Sequence, residues 1–327
     1  MTILITGGCG FIGTNFIINF AKQFPDETII NLDKLTYAAN LGVDELHKRF
    51  ITNRRYKQCV GDIGSHALVR DLIVKYKPEM IINFAAESHV DRSINDSSPF
   101  IKTNVMGTMN LLDCIRKYVT WDYRFLHVST DEVYGSLLLE DPPFTEQTPY
   151  DPRSPYSASK AASDHLVNAY RHTHGLQTII TNCSNNYGPF QHQEKFIPTV
   201  ILKALGGEKI PVYGNGANIR DWIYVEDHCD ALIKVLLEGR IGDKYNIGGK
   251  EEKTNLDIAK YILNYLEISH DMIDFVEDRK GHDFRYAIDT TKIELGLGWY
   301  SKTFFSKGIE KTIEWYSSHR YLFRQII

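Results

Sequence analysis

Residues 2–13 read TILITGGCGFIG: a β-branched run, then Gly7, Gly10 and Gly13 in a G-x-x-G-x-x-G spacing, just where an apolar stretch of helical period begins. Without a β-carbon, glycine lets a chain turn sharply out of a strand and lets a pyrophosphate approach the amides at the start of a helix. Phe11 and Ile12 lie between the second and third glycines and open the expected helix. The next β-like run, ETIINL at 27–32, leads to Asp33, twenty residues after Gly13. An acid at that place accepts hydrogen bonds from the adenosine ribose hydroxyls and repels a 2′-phosphate, so NAD is expected in preference to NADP. Lys34 beside the acid is no substitute for a dedicated phosphate clamp. Asp62, after a third run at 56–62, falls at the adenine edge of such a fold and doubles as a helix N-cap candidate.

The alternation then continues. Helical patterns at 11–24, 66–76, 99–118 and 154–173 are interleaved with short apolar runs at 79–85, 123–129 and 177–183. These runs are continuously apolar, the mark of strands covered on both faces. A doubly wound parallel sheet with right-handed crossovers follows, its ligands lying beyond the carboxyl ends of the strands. After about residue 184 loops lengthen and Asn, Gly and Pro rise; helical patterns return at 196–207, 226–239 and 255–267. The expected organisation is a dinucleotide-binding domain over 1–184, rejoined by a strand near 244–249, and a smaller interleaved α/β lobe over 185–327.

Composition narrows the function. The 327 residues are 43% hydrophobic and 24% charged, with a net charge of −4, so no general attraction to nucleic acid or to an anionic membrane is expected. No apolar run approaches the roughly 20 residues of a membrane helix, and the N-terminus lacks a basic region before its short apolar stretch. The five cysteines, Cys9, Cys59, Cys114, Cys183 and Cys229, are scattered and never in C-x-x-C spacing. They suit a reducing cytoplasm and argue against disulfides and zinc. His172 and His174, two apart, fall on different helix faces, so no metal is expected.

Two further motifs carry chemistry. Tyr156 and Lys160 form Y-x-x-x-K and share one helix face. A nearby ammonium and a nicotinamide charge would favour the phenolate, giving a base able to take a proton from a sugar hydroxyl. The spacing is common by chance; it gains weight from the dinucleotide turn and from Ser129 and Thr130, 27 and 26 residues upstream. Those two begin STDEVYG, which places Asp131 and Glu132 side by side after a strand. An Asp-Glu pair is most often a solvated turn. In a partly buried cleft, the same pair can share its titration, one carboxyl ionised and the other protonated.

With GGCGFIG, FAAESHVDRSI, STDEVYG, YSASK, NCSNNYGP, RDWIYVEDH, YNIGG and DRKGHDFRYAID, the chain resembles the nucleotide-sugar branch of the extended short-chain dehydrogenases, and within it the 4,6-dehydratases acting on dTDP-glucose. The likeness runs from residue 3 to about 290. It implies a Rossmann-type fold, bound NAD, and oxidation of a hexose at carbon 4 by Tyr156 and Lys160, with Thr130 on the carbon-4 oxygen. Glu132 would then take the carbon-5 proton, and Asp131 would protonate the departing carbon-6 hydroxyl. It also implies cofactor contacts from Leu35, Thr36, Ile63, Phe84, Ala85, Ala86, Ser88, Thr103 and Asn186. Arg220, Arg279, His282 and Lys195 would hold the diphosphate and adjoining sugar, while Asn185, Phe196, Pro211, Tyr213 and Asn255, with Ser88, shape the substrate pockets. A homodimer built on helices 99–118 and 154–173 is implied as well. Cys9, Gln193, Lys280 and Phe284 depart from the family pattern, which leaves the same reaction on a UDP- or other NDP-hexose as the alternative. An epimerase would leave the two acids unexplained, and a non-catalytic NAD-binding regulator would be expected to have lost Tyr156, Lys160 or the acids.

Overall fold

The computed structural model describes residues 1–40, 45, 47, 49, 55–279, 281–320 and 322. Thirteen strands are β1 (Thr2–Thr6), β2 (Thr28–Asp33), β3 (Tyr56–Val60), β4 (Met80–Asn83), β5 (Arg124–Thr130), β6 (Thr178–Cys183), β7 (Asn185–Tyr187), β8 (Ile210–Tyr213), β9 (Ile219–Tyr224), β10 (Lys244–Ile247), β11 (Glu252–Thr254), β12 (Ile273–Val276) and β13 (Arg285–Tyr286). Seven form one sheet in the order β10-β6-β5-β4-β1-β2-β3. Every pairing in it is parallel. The KYNIGG segment thus returns to the main sheet, alongside β6 with Lys244 opposite Ile180.

The continuous apolar runs are explained by what covers them. In β1, Ile3 and Ile5 face one core with Phe16 and Phe20 of the first helix (Phe11–Gln23) and Leu232 of the helix Val225–Glu238. Leu4 faces the opposite core with Ile73, Leu111 and Val167, from helices on the other side of the sheet. Each fully buried Ile or Leu contributes roughly 1.5–3 kcal/mol, so a one-residue slip of any central strand would be heavily penalised.

A separate core gathers Tyr187, Ile201, Trp222, Ile262 and Ile309 around the helices Phe196–Gly206, Asn255–Tyr265 and Phe305–Ser318. Around it β9 pairs with β7, β11 and β13, while β8 pairs with β12. These short strands and the helices Thr291–Leu297 and Phe305–Ser318 were not expected from the sequence.

The single helix expected over 99–118 differs in form. Ser98–Phe100 runs into a π-helical stretch, Ile101–Gly107, before the regular helix Thr108–Tyr118. The wide turn buries Asn104, whose amide reaches the carbonyl of Glu87 at 3.0 Å and the Ser159 hydroxyl at 2.8 Å. Packing adds a second reason, because a β-carbon on Gly107 would lie 2.6 Å from Ile63. Such turns concentrate at functional sites.

Candidate active site

The strand order reverses between β1 and β4, and the crevice beyond their carboxyl ends is where ligands of doubly wound sheets bind. The turns after the two strands touch. A β-carbon on Gly7 would meet the Ala85 nitrogen at 2.6 Å, and Gly7 has φ +71°, a conformation glycine alone adopts freely. The first helix has Gly10 as its N-cap, no side-chain cap and no acid in its first turn. Its opening residues Phe11, Ile12 and Gly13 line the cavity, and the first N–H groups of a helix have no partner within it. That is an anion-binding arrangement, and it fits a dinucleotide pyrophosphate.

Asp33 closes β2 at the cavity edge. Its carboxylate accepts from the Cys9 amide at 2.8 Å and the Leu35 amide at 2.8 Å. Burial pushes it up, partly offset by those two amides. Lys34 is engaged by Asp62 at 2.7 Å, which supports reading it as no phosphate clamp. Burial raises Asp62, but Lys34 and the Gly64 amide outweigh that and hold it below the usual range.

Of the residues expected at the cofactor, Gly7, Gly10, Phe11, Ile12, Gly13, Asp33, Lys34, Thr36, Asp62, Ile63, Phe84, Ala85, Ala86, Ser88, Thr103, Tyr156, Lys160 and Asn186 all line this one cavity. Leu35 does not; its side chain is 45% exposed and only its amide takes part. Cys9 is buried, its sulfur receiving the Asn31 amide at 3.4 Å.

Thr130, Asp131 and Glu132 line the same cavity. Thr130 ends β5 and caps the 3-10 turn Asp131–Tyr134, accepting from the Glu132 amide at 3.3 Å. The turn exits through Gly135 at φ +97°, where a β-carbon would press on the Asp151 carbonyl at 2.7 Å. Facing it is the helix Pro155–His174. Ser154 and Ser157 form a reciprocal capping box at its start, and Pro155 occupies the first turn. Tyr156 therefore projects from a fixed helix end, its amide also bonded to the Ser93 hydroxyl at 3.2 Å.

The two acids sit in different fields. Asp131 is 1% exposed and its Oδ2 has no hydrogen-bond partner. Burial drives its carboxyl far up, and the charges of Glu132 and Asp221 add to this. Burial also raises Glu132, but Arg279, Lys195 and Arg220 pull it back. Both carboxyls lie above their ordinary values, Asp131 far above and Glu132 held back by its three cations, so of the two Asp131 is the better placed to hold a proton. For Tyr156, burial and the charge of Glu132 raise the phenol well above its ordinary value, and the Thr130 hydroxyl opposes them. The Lys160 ammonium, one helix turn from Tyr156, donates to the Val128 carbonyl at 2.8 Å.

The second-lobe residues are less uniform. Ser88, Asn185 and Lys195 line the cavity, and the Lys195 ammonium donates to the Ser88 carbonyl at 2.8 Å. Arg279 pairs with Asp91 at 3.6 Å, and the Tyr213 hydroxyl donates to the same acid at 3.3 Å. His282 holds Asp278 at 2.6 Å, with burial and Arg279 pushing it down to about 4. Arg220 is turned inward, donating to the carbonyls of Ile219, Asp283 and Phe284 with its guanidinium 4.2 Å over the Tyr286 ring. Phe196 and Asn255 begin helices, and Pro211 lies on β8. None of these seven (Phe196, Pro211, Tyr213, Arg220, Asn255, Arg279, His282) lines the cavity of the cofactor and acid residues. Of the departures, the Gln193 carbonyl accepts from Thr199 at 2.7 Å, Phe284 is 37% exposed, and Lys280 lies outside the described residues.

Tyr37, Glu87, His89, Cys183, His192 and Glu194 also line the cavity and were not anticipated. Cys183 ends β6 among the catalytic side chains, its thiol pushed up to about 12 by burial first and Asp131 second. The short helix Val90–Asn95, likewise unforeseen, ties the halves together: Arg92 binds Glu194 at 2.6 Å and lies 3.8 Å over the Tyr37 ring. Only FAAESHVD, with its cluster of polar residues after a strand, pointed that way.

A seven-stranded doubly wound sheet with a glycine turn, a Tyr–Lys helix and two acids at one cavity defines a dinucleotide-dependent enzyme of the short-chain dehydrogenase type. Residues 4–312 match the family described as GDP-mannose 4,6 dehydratase, and the chain belongs to that family. It is 48% identical over 337 residues to a dTDP-glucose 4,6-dehydratase of Xanthomonas campestris pv. campestris, covering 98% of this chain and 94% of the relative. It is 47% identical over 353 residues to the dTDP-glucose 4,6-dehydratase of Escherichia coli, covering 100% and 96%. The crystal structure of the dTDP-glucose 4,6-dehydratase DesIV from Streptomyces venezuelae, with NAD bound, superposes with a TM-score of 0.92 at 43% identity, covering 98% of each chain. Among the described residues no helix is long and apolar enough to cross a membrane.

Proposed function

We propose that this chain dehydrates dTDP-glucose to the 4-keto-6-deoxy sugar with NAD as a retained cofactor. One observation carries the reading: Asp131 and Glu132 share a cavity with Tyr156, and their surroundings make Asp131 the better placed of the two to hold a proton. Bound NAD supplies the two-electron exchange, oxidising carbon 4 and later reducing carbon 6. Tyr156 takes the proton of the carbon-4 hydroxyl, Thr130 orients that oxygen, and Lys160 stabilises the phenolate. Oxidation acidifies the carbon-5 proton, which Glu132 removes. Asp131 gives its proton to the carbon-6 hydroxyl, which leaves as water; once hydride has returned to carbon 6, carbon 5 takes a proton back from Glu132, and the proton gathered by Tyr156 makes good the one Asp131 gave, so protons and electrons balance over the cycle.

We assign residues 1–184, with the strand near 244–249, to cofactor binding and 185–327 mainly to the nucleotide sugar. Arg279 and Lys195 are the cationic side of that second site, with His282 beside them as a neutral imidazole. A homodimer through the helices around 99–118 and 154–173 is supported by the exposed Ile101 and Met106. Cytoplasmic residence is supported by the five cysteines, none of them in a disulfide.

Purified protein offered dTDP-, UDP-, GDP- and CDP-hexoses should turn over dTDP-glucose fastest, with no net NADH released. Faster turnover of another nucleotide would move the substrate assignment. Stoichiometric NADH release would replace the dehydratase reading with that of a simple dehydrogenase.

A further inference from the structure

One turn beyond Lys160, the same helix buries a third ionisable group. Asp164 is fully buried and lies outside the cavity lining, so it meets neither cofactor nor substrate. A buried carboxylate is costly unless it is satisfied on several sides. Its Oδ2 accepts from the Ser129 hydroxyl at 2.9 Å, the Tyr150 hydroxyl at 2.8 Å and the Asn182 amide at 3.3 Å. The Asn182 amide also donates to the Thr130 carbonyl at 2.9 Å. Asp164 thus ties the Tyr156–Lys160 helix to the end of β5 that leads into Asp131 and Glu132.

The charges around it are definite. Asn83 accepts the Thr6 hydroxyl at 2.6 Å on its oxygen, so its amide faces His127 Nδ1 at 3.2 Å. Nδ1 must then accept, and Nε2 carries the proton toward the Ser163 hydroxyl at 3.1 Å and Asp164 Oδ1 at 3.4 Å. Burial and Lys160 both lower His127, so it stays neutral. Burial would raise Asp164, but His127, Lys160 and Tyr150 outweigh it, leaving a carboxylate. Lys160 is lowered by burial, and Asp164 is the largest opposing influence, ahead of Cys183. On the outer side, Lys244 lies over the Tyr150 ring, 4.5 Å from its centroid, and donates to its hydroxyl at 3.3 Å; Tyr134 stands beyond it.

We propose that Asp164, one helix turn from Lys160, is a positioning residue that sets a buried counter-charge beside the Lys160 ammonium and locks the Tyr156 helix to the strand end carrying Thr130, Asp131 and Glu132. This rests on the reading of Tyr156 and Lys160 as the base pair. The alternative is a rivet whose charge does not matter. Asp164→Asn separates the two, because it keeps the size and one acceptor but removes the charge. Lys160 then loses the influence that favours its charged form, so the alkaline limb of kcat against pH should move to lower pH by about one unit, a tenfold change in the Lys160 equilibrium. KM and the Kd for NAD, measured by titrating the stripped protein, should change less than about twofold, since Asp164 lies outside the cavity. Asp164→Glu should return the limb to its original pH.

An unmoved limb in Asp164→Asn overturns the proposal. Should that variant fail to fold, Tyr150→Phe removes one donor at 2.8 Å from outside the cavity. It should lower kcat about threefold to tenfold at constant KM, the scale of one lost hydrogen bond to a charged group, and an unchanged kcat overturns the proposal equally. Tyr156→Phe run in parallel keeps the two readings apart. Loss of activity there with an unmoved limb in Asp164→Asn sinks Asp164 alone, whereas retained activity in Tyr156→Phe sinks the base pair itself.

Discussion

On the sheet side of the active site, Asp131, Tyr156 and Lys160 are 1%, 8% and 4% exposed, and their partners come from β5 and its surroundings. On the second-lobe side, Tyr213 is 39% exposed, and Arg279 and His282 are held by the acids Asp91 and Asp278. The first group is dry, and burial heads the causes of every shift in it. In the second group Arg279 keeps its charge in a contact with Asp91 that an incoming anion can replace. Proton transfer needs acids and bases moved away from their solution values, and burial does that. Gripping a diphosphate needs donors that can exchange one anion for another.

That contrast can be broken most decisively at Tyr156. Tyr156→Phe keeps the ring and deletes the hydroxyl, so oxidation at carbon 4 should fall by roughly 10²-fold or more while substrate still binds. Near wild-type single-turnover rates would show that the dry side is mere packing. Asp131→Asn and Glu132→Gln should each slow water loss, by about 10²-fold, yet leave carbon-4 oxidation in place. Both variants should accumulate enzyme-bound NADH in single turnover. Only Asp131→Asn should still wash solvent deuterium into carbon 5, because its Glu132 remains a base. Unimpaired exchange in Glu132→Gln would reverse the assignment of the two acids.

On the wet side, Arg279→Ala should raise KM for the nucleotide sugar about tenfold, the loss of one charge-assisted contact, with kcat changed much less. A fall in kcat without a change in KM would place Arg279 with the chemistry instead. That outcome has a physical route, since Arg279 is also the largest influence drawing Glu132 back down after burial has raised it.

The same contrast marks what the sequence could disclose. Gly7, Gly10, Gly13 and Asp33 were legible because a strand, a turn and a helix put them in register within 33 residues. Tyr156 and Lys160 were legible because one helix turn joins them. The parallel sheet followed from apolar runs such as β1, β2, β4, β5 and β6, whose burial on both faces the structure displays, whereas in the edge strand β3 only Tyr56 is buried. Strands such as β11 and β13, of 3 and 2 residues, carry no periodicity to read. The direction of Arg220 depends on carbonyls at Asp283 and Phe284, more than sixty residues away. Asp164 in AASDHL looks like one more polar helix residue. Its burial is decided by Ser129, Tyr150 and Asn182, which only the folded sheet brings together.

The smallest expected effect lies at the rim between the two sides. Arg92 bonds Glu194 at 2.6 Å and lies over Tyr37, both of which line the cavity, but its side chain is 47% exposed and that of Glu194 is 34% exposed. An ion pair in that setting contributes about 0–1 kcal/mol, and the ring contact about 0.5–1 kcal/mol where water reaches it. Arg92→Ala should therefore lower Tm by less than about 3 °C and leave kcat within about twofold. KM for the nucleotide sugar should rise about twofold to threefold, because the short helix Val90–Asn95 loses one tie to the second lobe while Asp91 keeps its contacts with Arg279 and Tyr213. Added salt should reproduce part of that rise in the unaltered protein, since exposed pairs are screened and buried ones are not. The measurement is a KM series against NaCl for both proteins, which should converge as salt increases. A tenfold loss of kcat in Arg92→Ala, insensitive to salt, would mean that the rim belongs to the catalytic constellation, and the division between a dry side that reacts and a wet side that binds would fail.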